Sequence, residues 1–138
     1  MKIVVMDGQG GRLGKMLVER VKARLPRAQV LALGTNTVAT GAMLKAGADF
    51  GATGENPVVR GVEDADGVLG PVGIVVADAI LGEVTPAMAR AVGSCRGRKF
   101  LVPMNSCGVT VAGVEERPLS DYVEQAVESL AREMEGRG

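Results

Sequence analysis

Histidine is absent from the 138-residue chain. With it go the commonest general base, the commonest zinc ligand and every histidine-based nucleophilic triad. Tryptophan is absent too, and the aromatics reduce to one tyrosine and two phenylalanines. That excludes the base-stacking platforms that hold single-stranded nucleic acid. The core must therefore be built from valine, leucine, alanine, isoleucine and methionine. The two cysteines, Cys95 and Cys107, make no disulfide framework and, without a histidine partner, a poor metal site, so no metal is expected. Neither sign of charge is in excess, with sixteen Lys and Arg against sixteen Asp and Glu. Such a surface has no field to gather nucleic acid or an acidic membrane. No apolar run approaches the ~18 residues of a membrane helix. One lysine and a short apolar run before Asp7 do not make a signal peptide. The expectation is a cytoplasmic protein, a single domain over 1–138.

What is present is an alternation of short apolar runs and amphipathic stretches. Residues 2–6 read as a strand buried on both faces. Residues 12–25 read as a helix, with Leu13, Met16, Leu17, Val21 and Leu25 on one face and Pro26 as its stop. Residues 29–33 form a second strand. Asn36 or Thr37 then caps a helix over 37–46 that Gly47 terminates. Residues 47–57 read as a glycine-rich loop, 58–62 as a short edge strand opened by Pro57 and 66–70 as the next central strand. The run 72–81 reads as a buried helix, with a strand over 73–77 as the alternative. Thr85-Pro86 starts a helix that reaches Ser94. Strands follow at 99–103 and 109–114, and Pro118 opens a final helix striped by Leu119, Tyr122, Val123, Ala126, Val127, Leu130, Ala131 and Met134. The fold class is α/β: a three-layer, Rossmann-like, doubly wound and mostly parallel sheet of about five to six strands.

The first βα turn carries the strongest chemical signal. Gly8-Gln9-Gly10-Gly11-Arg12-Leu13-Gly14 follows Asp7 directly. One glycine permits a tight turn, one lets backbone approach a phosphate and one allows close helix–strand packing. The N–H groups and the positive end of the helix then face an anion. The candidate phosphate-binding residues are Asp7, Gly8, Gln9, Gly10, Gly11, Arg12 and Leu13. Arg12 reaches a phosphate; Asp7 is a base, a group that repels a misplaced phosphate or, the favoured reading, an acceptor for the N–H groups of the turn itself. The competing reading is a sharp, well-packed turn and nothing more. An NAD site also wants Asp or Glu about 20 residues on, at the end of the second strand. Here that strand ends Leu33-Gly34-Thr35-Asn36, without a carboxylate and without an adjacent arginine. Gly34, Thr35 and Asn36 can hydrogen-bond a ribose or a 2′-phosphate, which favours NADP or another phosphate ligand over NAD.

Other polar clusters sit at ends of strands. Gly70-Pro71 ends the third central strand and faces the same crevice as the glycine turn. Asn105 and Ser106 follow the fourth and can hydrogen-bond a ligand. Cys107 beside them is a nucleophile only if something lowers its pKa, and no histidine exists to do so. Asp78 is a lone carboxylate in an apolar run, a general acid or base if buried and a plain surface group if not. The segment 51–56, Gly-Ala-Thr-Gly-Glu-Asn, is either a lid or an ordinary surface loop.

Met1 to Gly11, the stretches 32–40, 42–48 and 51–56, and Gly70-Pro71, Leu81-Gly82-Glu83-Val84-Thr85-Pro86 and Pro103-Met104-Asn105 together resemble a bacterial family of short proteins known only as a domain of unknown function. That resemblance implies a cytosolic, Rossmann-like protein, complete in itself, and supplies no catalytic residue. The glycine turn alone also resembles the opening of dihydrodipicolinate reductase, and on that likeness Gly11, Arg12 and Leu13 offer backbone to a pyrophosphate. Three functions compete. The first is a nucleotide- or phosphate-binding module, for binding or sensing. The second is an NAD(P)-dependent oxidoreductase whose site a homo-oligomer partner completes. The third is a phosphate-substrate lyase, since Gly34-Thr35-Asn36-Thr37 is similar to the phosphate turn of methylglyoxal synthase-like folds.

Overall fold

In the computed structural model, which describes residues 1–104 and 108–136, five strands form one sheet. They are Lys2–Asp7 (β1), Gln29–Gly34 (β2), Phe50–Thr53 (β3), Gly67–Pro71 (β4) and Arg98–Val102 (β5). The order is β3-β2-β1-β4-β5, and every pairing is parallel. Parallel neighbours need crossover connections, which here are mostly helices: Arg12–Arg24 (α1), Thr37–Lys45 (α2), Glu55–Gly61 (α3) and Pro86–Ser94 (α4), with Leu119–Gly136 (α5) closing the chain. The arrangement is Rossmann-like α/β.

Both faces of the sheet are covered, which is why β1 and β4 read as continuous apolar runs. Ile3 and Val5 point into one core with Leu17 and Val21 of α1, Met43 of α2 and Leu130 of α5. Val4 and Met6 point into the other, with Val58 of α3, Ile74, and Met88 and Val92 of α4. α1 and α5 lie side by side and are laced at the surface by Arg20 with Glu124 and by Arg24 with Glu128 and Glu135. Exposed pairs of this kind are worth little individually. The apolar stripe of α5 supplies the packing.

Four expectations fail locally. The loop expected over 47–57 contains β3, whose residues pair one-to-one with Leu31–Gly34. Its sequence is weakly strand-like, and pairing with β2 decides its conformation. The edge strand expected at 58–62 is instead the second half of α3 and its C-cap, Val62; Val58 and Val62 are buried together at helical spacing, and Pro57 falls within the first turn, which tolerates it. The buried helix expected over 72–81 is a 3₁₀ turn at Val72–Val75 followed by tight turns. Among these, Asp78, Ile80 and Leu81 adopt left-handed backbone with φ of 67°, 56° and 53°. The strand expected at 109–114 does not form, and Val111 and Val114 are exposed. Among the described residues, no helix is long and apolar enough to cross a membrane.

Candidate functional site

The chain leaves β1 toward β2 and β3, then returns to add β4 and β5 on the other side of β1. The order therefore reverses between β1 and β4, and in open α/β sheets ligands bind beyond the carboxyl ends of the strands at that point. The glycine turn after β1, the turn after β2 and the end of β4 meet there. The first and the last of these border a crevice of about 50 Å³, lined by Asp7, Gly8, Gln9, Pro71, Gly73, Ile80 and Met104.

Asp7 is 6% exposed and organises the turn from beneath. Its Oδ1 accepts the Gly8 N–H at 2.8 Å and its Oδ2 accepts the Gly14 N–H at 2.7 Å. Burial pushes its carboxyl above the ordinary aspartate value, the two N–H bonds pull it back, and the nearby Glu83 charge adds to the rise. With both oxygens engaged by backbone, Asp7 is a brace of the turn.

The glycines divide their work. Gly11 sits at the N-cap of α1 with φ 74°, and a Cβ there would stand 2.8 Å from the Ala39 Cα of α2. Gly14 lets α1 settle against Met43 and the Asp7 Cβ. Both serve packing. Gly10 faces open space. Gly8 makes room for side chains from elsewhere, since a Cβ would lie 2.5 Å from Thr35 Oγ1 and 2.9 Å from Glu83 Oε1. The N-cap gives α1 no side-chain hydrogen bond. Among the described residues, no acceptor meets the Arg12 or Leu13 N–H. These amides point out of the positive end of α1, beside the exposed Arg12 side chain.

Glu83 is the residue that sequence reasoning missed. It lies in the connection between β4 and α4 and crosses the sheet end. Its Oε1 accepts the Gln9 N–H at 3.0 Å, the Thr35 hydroxyl at 2.6 Å and the Asn36 side-chain amide at 2.7 Å. Burial raises its pKa, but those three donors together outweigh burial and hold the carboxyl below the ordinary glutamate value. Asn36 is otherwise spent: its Oδ1 caps α2 through the Ala39 N–H, and its amide also reaches the Gln9 carbonyl. No local pattern links Glu83 to the turn, because 74 residues separate it from Gln9.

Of the other candidates, Pro71 lines the crevice, while Gly70 is buried between strands, where a Cβ would meet the Met6 carbonyl at 2.5 Å. Gly34 is buried against Thr40 and Asn36 of the α2 start. Asn105, Ser106 and Cys107 lie outside the described residues. Asp78 is exposed, and the 51–56 segment is tied to the end of β2 through the Gly54 N–H on the Gly34 carbonyl at 2.9 Å and to α2 through the Thr53 hydroxyl, 2.7 Å from that of Thr40, while Glu55 accepts the Thr85 hydroxyl. Among the described residues, no cluster of three or more His, Cys, Asp or Glu is arranged to hold a metal ion. A larger cleft, about 500 Å³, lies apart from the turn between β5 and α5, with Phe100, Val111 and Tyr122 in its walls.

A family model described as "Domain of unknown function (DUF3842)" matches residues 2–135. The chain belongs to this family. No curated protein matches the DUF3842 chain in sequence. Among solved structures, it resembles the dodecameric FMN-dependent UbiX-like decarboxylase from Escherichia coli O157:H7, with a TM-score of 0.54 and 18% identity over 97% of this chain and 94% of that one. At that identity the likeness establishes the Rossmann-like fold and nothing finer.

Proposed function

We propose that the protein binds a small phosphorylated ligand, a nucleotide or a similar phosphate ester, in a binding or sensing role. The phosphate lies on the Arg12 and Leu13 amides, and the adjoining atoms face Gly8, Thr35 and the crevice. One observation carries this reading. The first helix begins with a glycine N-cap and, among the described residues, with no acceptor on the Arg12 and Leu13 amides, at the carboxyl end of the central strand and next to the reversal of strand order. The exposed Arg12 guanidinium at the same helix start adds a phosphate partner. The structural neighbour's dependence on FMN, itself a phosphate ester, agrees with this ligand class. At about 50 Å³ the crevice is too small for a nucleobase or a flavin ring. It takes only atoms next to the phosphate, and the ring lies outside it. Nucleotides belong to this class, and a homo-oligomer partner is a natural way to cover the ring.

Thermal-shift and calorimetric titrations with AMP, NAD, NADP, FMN and inorganic phosphate test the reading. A ligand present at a hundred times its Kd stabilises the fold by about 2.7 kcal/mol. Gly10→Val, which projects into open space, abolishes that stabilisation while leaving the ligand-free midpoint unchanged. Binding that survives Gly10→Val places the site elsewhere.

A further inference from the structure

Glu83 combines four properties that a structural carboxylate does not need together. Its Oε1 is held by three donors from two separate turns, Gln9 on one side and Thr35 and Asn36 on the other. Among the described residues, no donor is found for its Oε2. A Cβ on Gly8 would stand 2.5 Å from Thr35 Oγ1 and 2.9 Å from Glu83 Oε1, so a side chain there would have to displace both of these hydrogen-bonded groups. The segment that delivers it is costly: Asp78, Ile80 and Leu81 all sit in left-handed backbone, each at about 1–3 kcal/mol. It is pinned by the Asp78 N–H to the Val84 carbonyl at 2.7 Å and by the Val84 N–H to the Ala79 carbonyl at 3.1 Å.

We propose that Glu83 is the hydroxyl acceptor of the ligand site, and hence that the ligand is a phosphate ester of a sugar or polyol with a free hydroxyl near the phosphate. This deepens the reading of α1 as a phosphate site and rests on it. The chemistry follows from charge. A carboxylate with one oxygen held by three donors and the other free accepts a hydroxyl and repels a second anion. In dinucleotide-binding sheets an acidic residue at the end of the second strand plays this part for the ribose. Here β2 ends at Gly34, and the carboxylate arrives at the same place from the β4–α4 connection, gripped by Thr35 and Asn36, which follow the strand. A ligand with a phosphate on that sugar position, as in NADP, is disfavoured, and one with the hydroxyl free is accepted. A ribose nucleotide and a ribityl phosphate such as FMN share this chemistry.

Calorimetric titration of AMP, FMN, 2′,3′-dideoxy-AMP and n-pentyl phosphate into wild type and Glu83→Gln tests it. In wild type a hydroxylated ester binds at least about tenfold more tightly than the hydroxyl-free phosphates, as expected for a hydrogen bond to a charged acceptor. Whether AMP or FMN is that ester identifies the source. In Glu83→Gln the preference falls to within about threefold, while binding of n-pentyl phosphate is kept or strengthened. Hydroxyl-free phosphates that bind wild type as tightly as AMP and FMN overturn the role of Glu83 and leave the phosphate site standing. A preference that persists in folded Glu83→Gln also overturns it. If no phosphate ester binds at all, the phosphate reading itself falls. The wild-type comparison needs no variant, so a poorly folding Glu83→Gln protein does not rescue the proposal.

Discussion

Gly10 and Gly11 are adjacent, and only one of them is glycine for the sake of the fold. A side chain on Gly11 is penalised twice, by its φ of 74° and by the Ala39 Cα 2.8 Å from its Cβ position. Gly11→Ala is therefore expected to cost about 2–4 kcal/mol in urea unfolding, summing left-handed strain and overpacking. Gly10→Ala, which meets nothing within 4 Å, is expected within about 0.5 kcal/mol of wild type. The two carboxylates of the turn make a second pair of opposites. The Asp7 pKa is raised, chiefly by burial, so its contribution to stability is complete below the unfolded aspartate value and is lost as pH rises through the folded one. The Glu83 pKa is lowered: burial opposes ionisation, but its three donors prevail. Its contribution is complete above the unfolded glutamate value and is lost as pH falls through the folded one. Asp7→Asn should therefore destabilise more in acid than at neutral pH, and Glu83→Gln more at neutral pH than in acid. Unfolding titrations of both variants at about pH 4 and pH 7 read the sign directly. That Asp7 would brace the turn could be read from its position before Gly8. That Glu83 would reach across to the turn could not, since its partners Gln9, Thr35 and Asn36 are brought to it only by the sheet.

Elements were legible in proportion to how much of their stability is local. β1, β2, β4 and α1 follow from apolar run length and helical spacing. α4 follows from the Thr85 cap and Pro86, and the Thr85 hydroxyl does accept the Met88 N–H at 3.2 Å. α5 follows from its stripe. β3 was not legible, because Phe50 and Gly51 are exposed and only pairing with β2 makes a strand of them. α3 was hidden by Val58 and Val59, whose β-branching argues for a strand until Val58 and Val62 are seen buried together. The 72–84 connection was hidden more deeply. Its apolar content is real, with Ile74, Ala79, Ile80 and Val84 all buried, but they fill the end of the core from turns and not from a helix. That connection stores strain at Leu81, which is 89% exposed with φ 53° and gains nothing from burial. Leu81→Gly should therefore stabilise the free protein by about 0.5–1 kcal/mol, read as a raised urea midpoint with an unchanged slope. A destabilised Leu81→Gly protein would show that its side chain is held by a contact that outweighs the strain.

At the scale of the molecule, one all-parallel sheet separates two cores that share strands but not side chains. Leu130 of α5 is fully buried on one face, against the space left by Gly67 of β4. Ile74 is fully buried on the other, against Gly70 of the same strand. Glycine at both places means that β4 offers these residues its backbone, so a rigid strand should insulate one core from the other. Leu130→Ala is expected to cost about 2–5 kcal/mol and Ile74→Val about 0.5–1.5 kcal/mol. A domain above the lower end of the ordinary range of about 5–15 kcal/mol survives both together. If β4 insulates the faces, the double variant loses the sum of the two within about 0.5 kcal/mol. A larger departure from additivity in urea unfolding would mean that β4 shifts when either face is loosened. The candidate site would then feel core packing directly, because Pro71 at the end of β4 is one wall of its crevice.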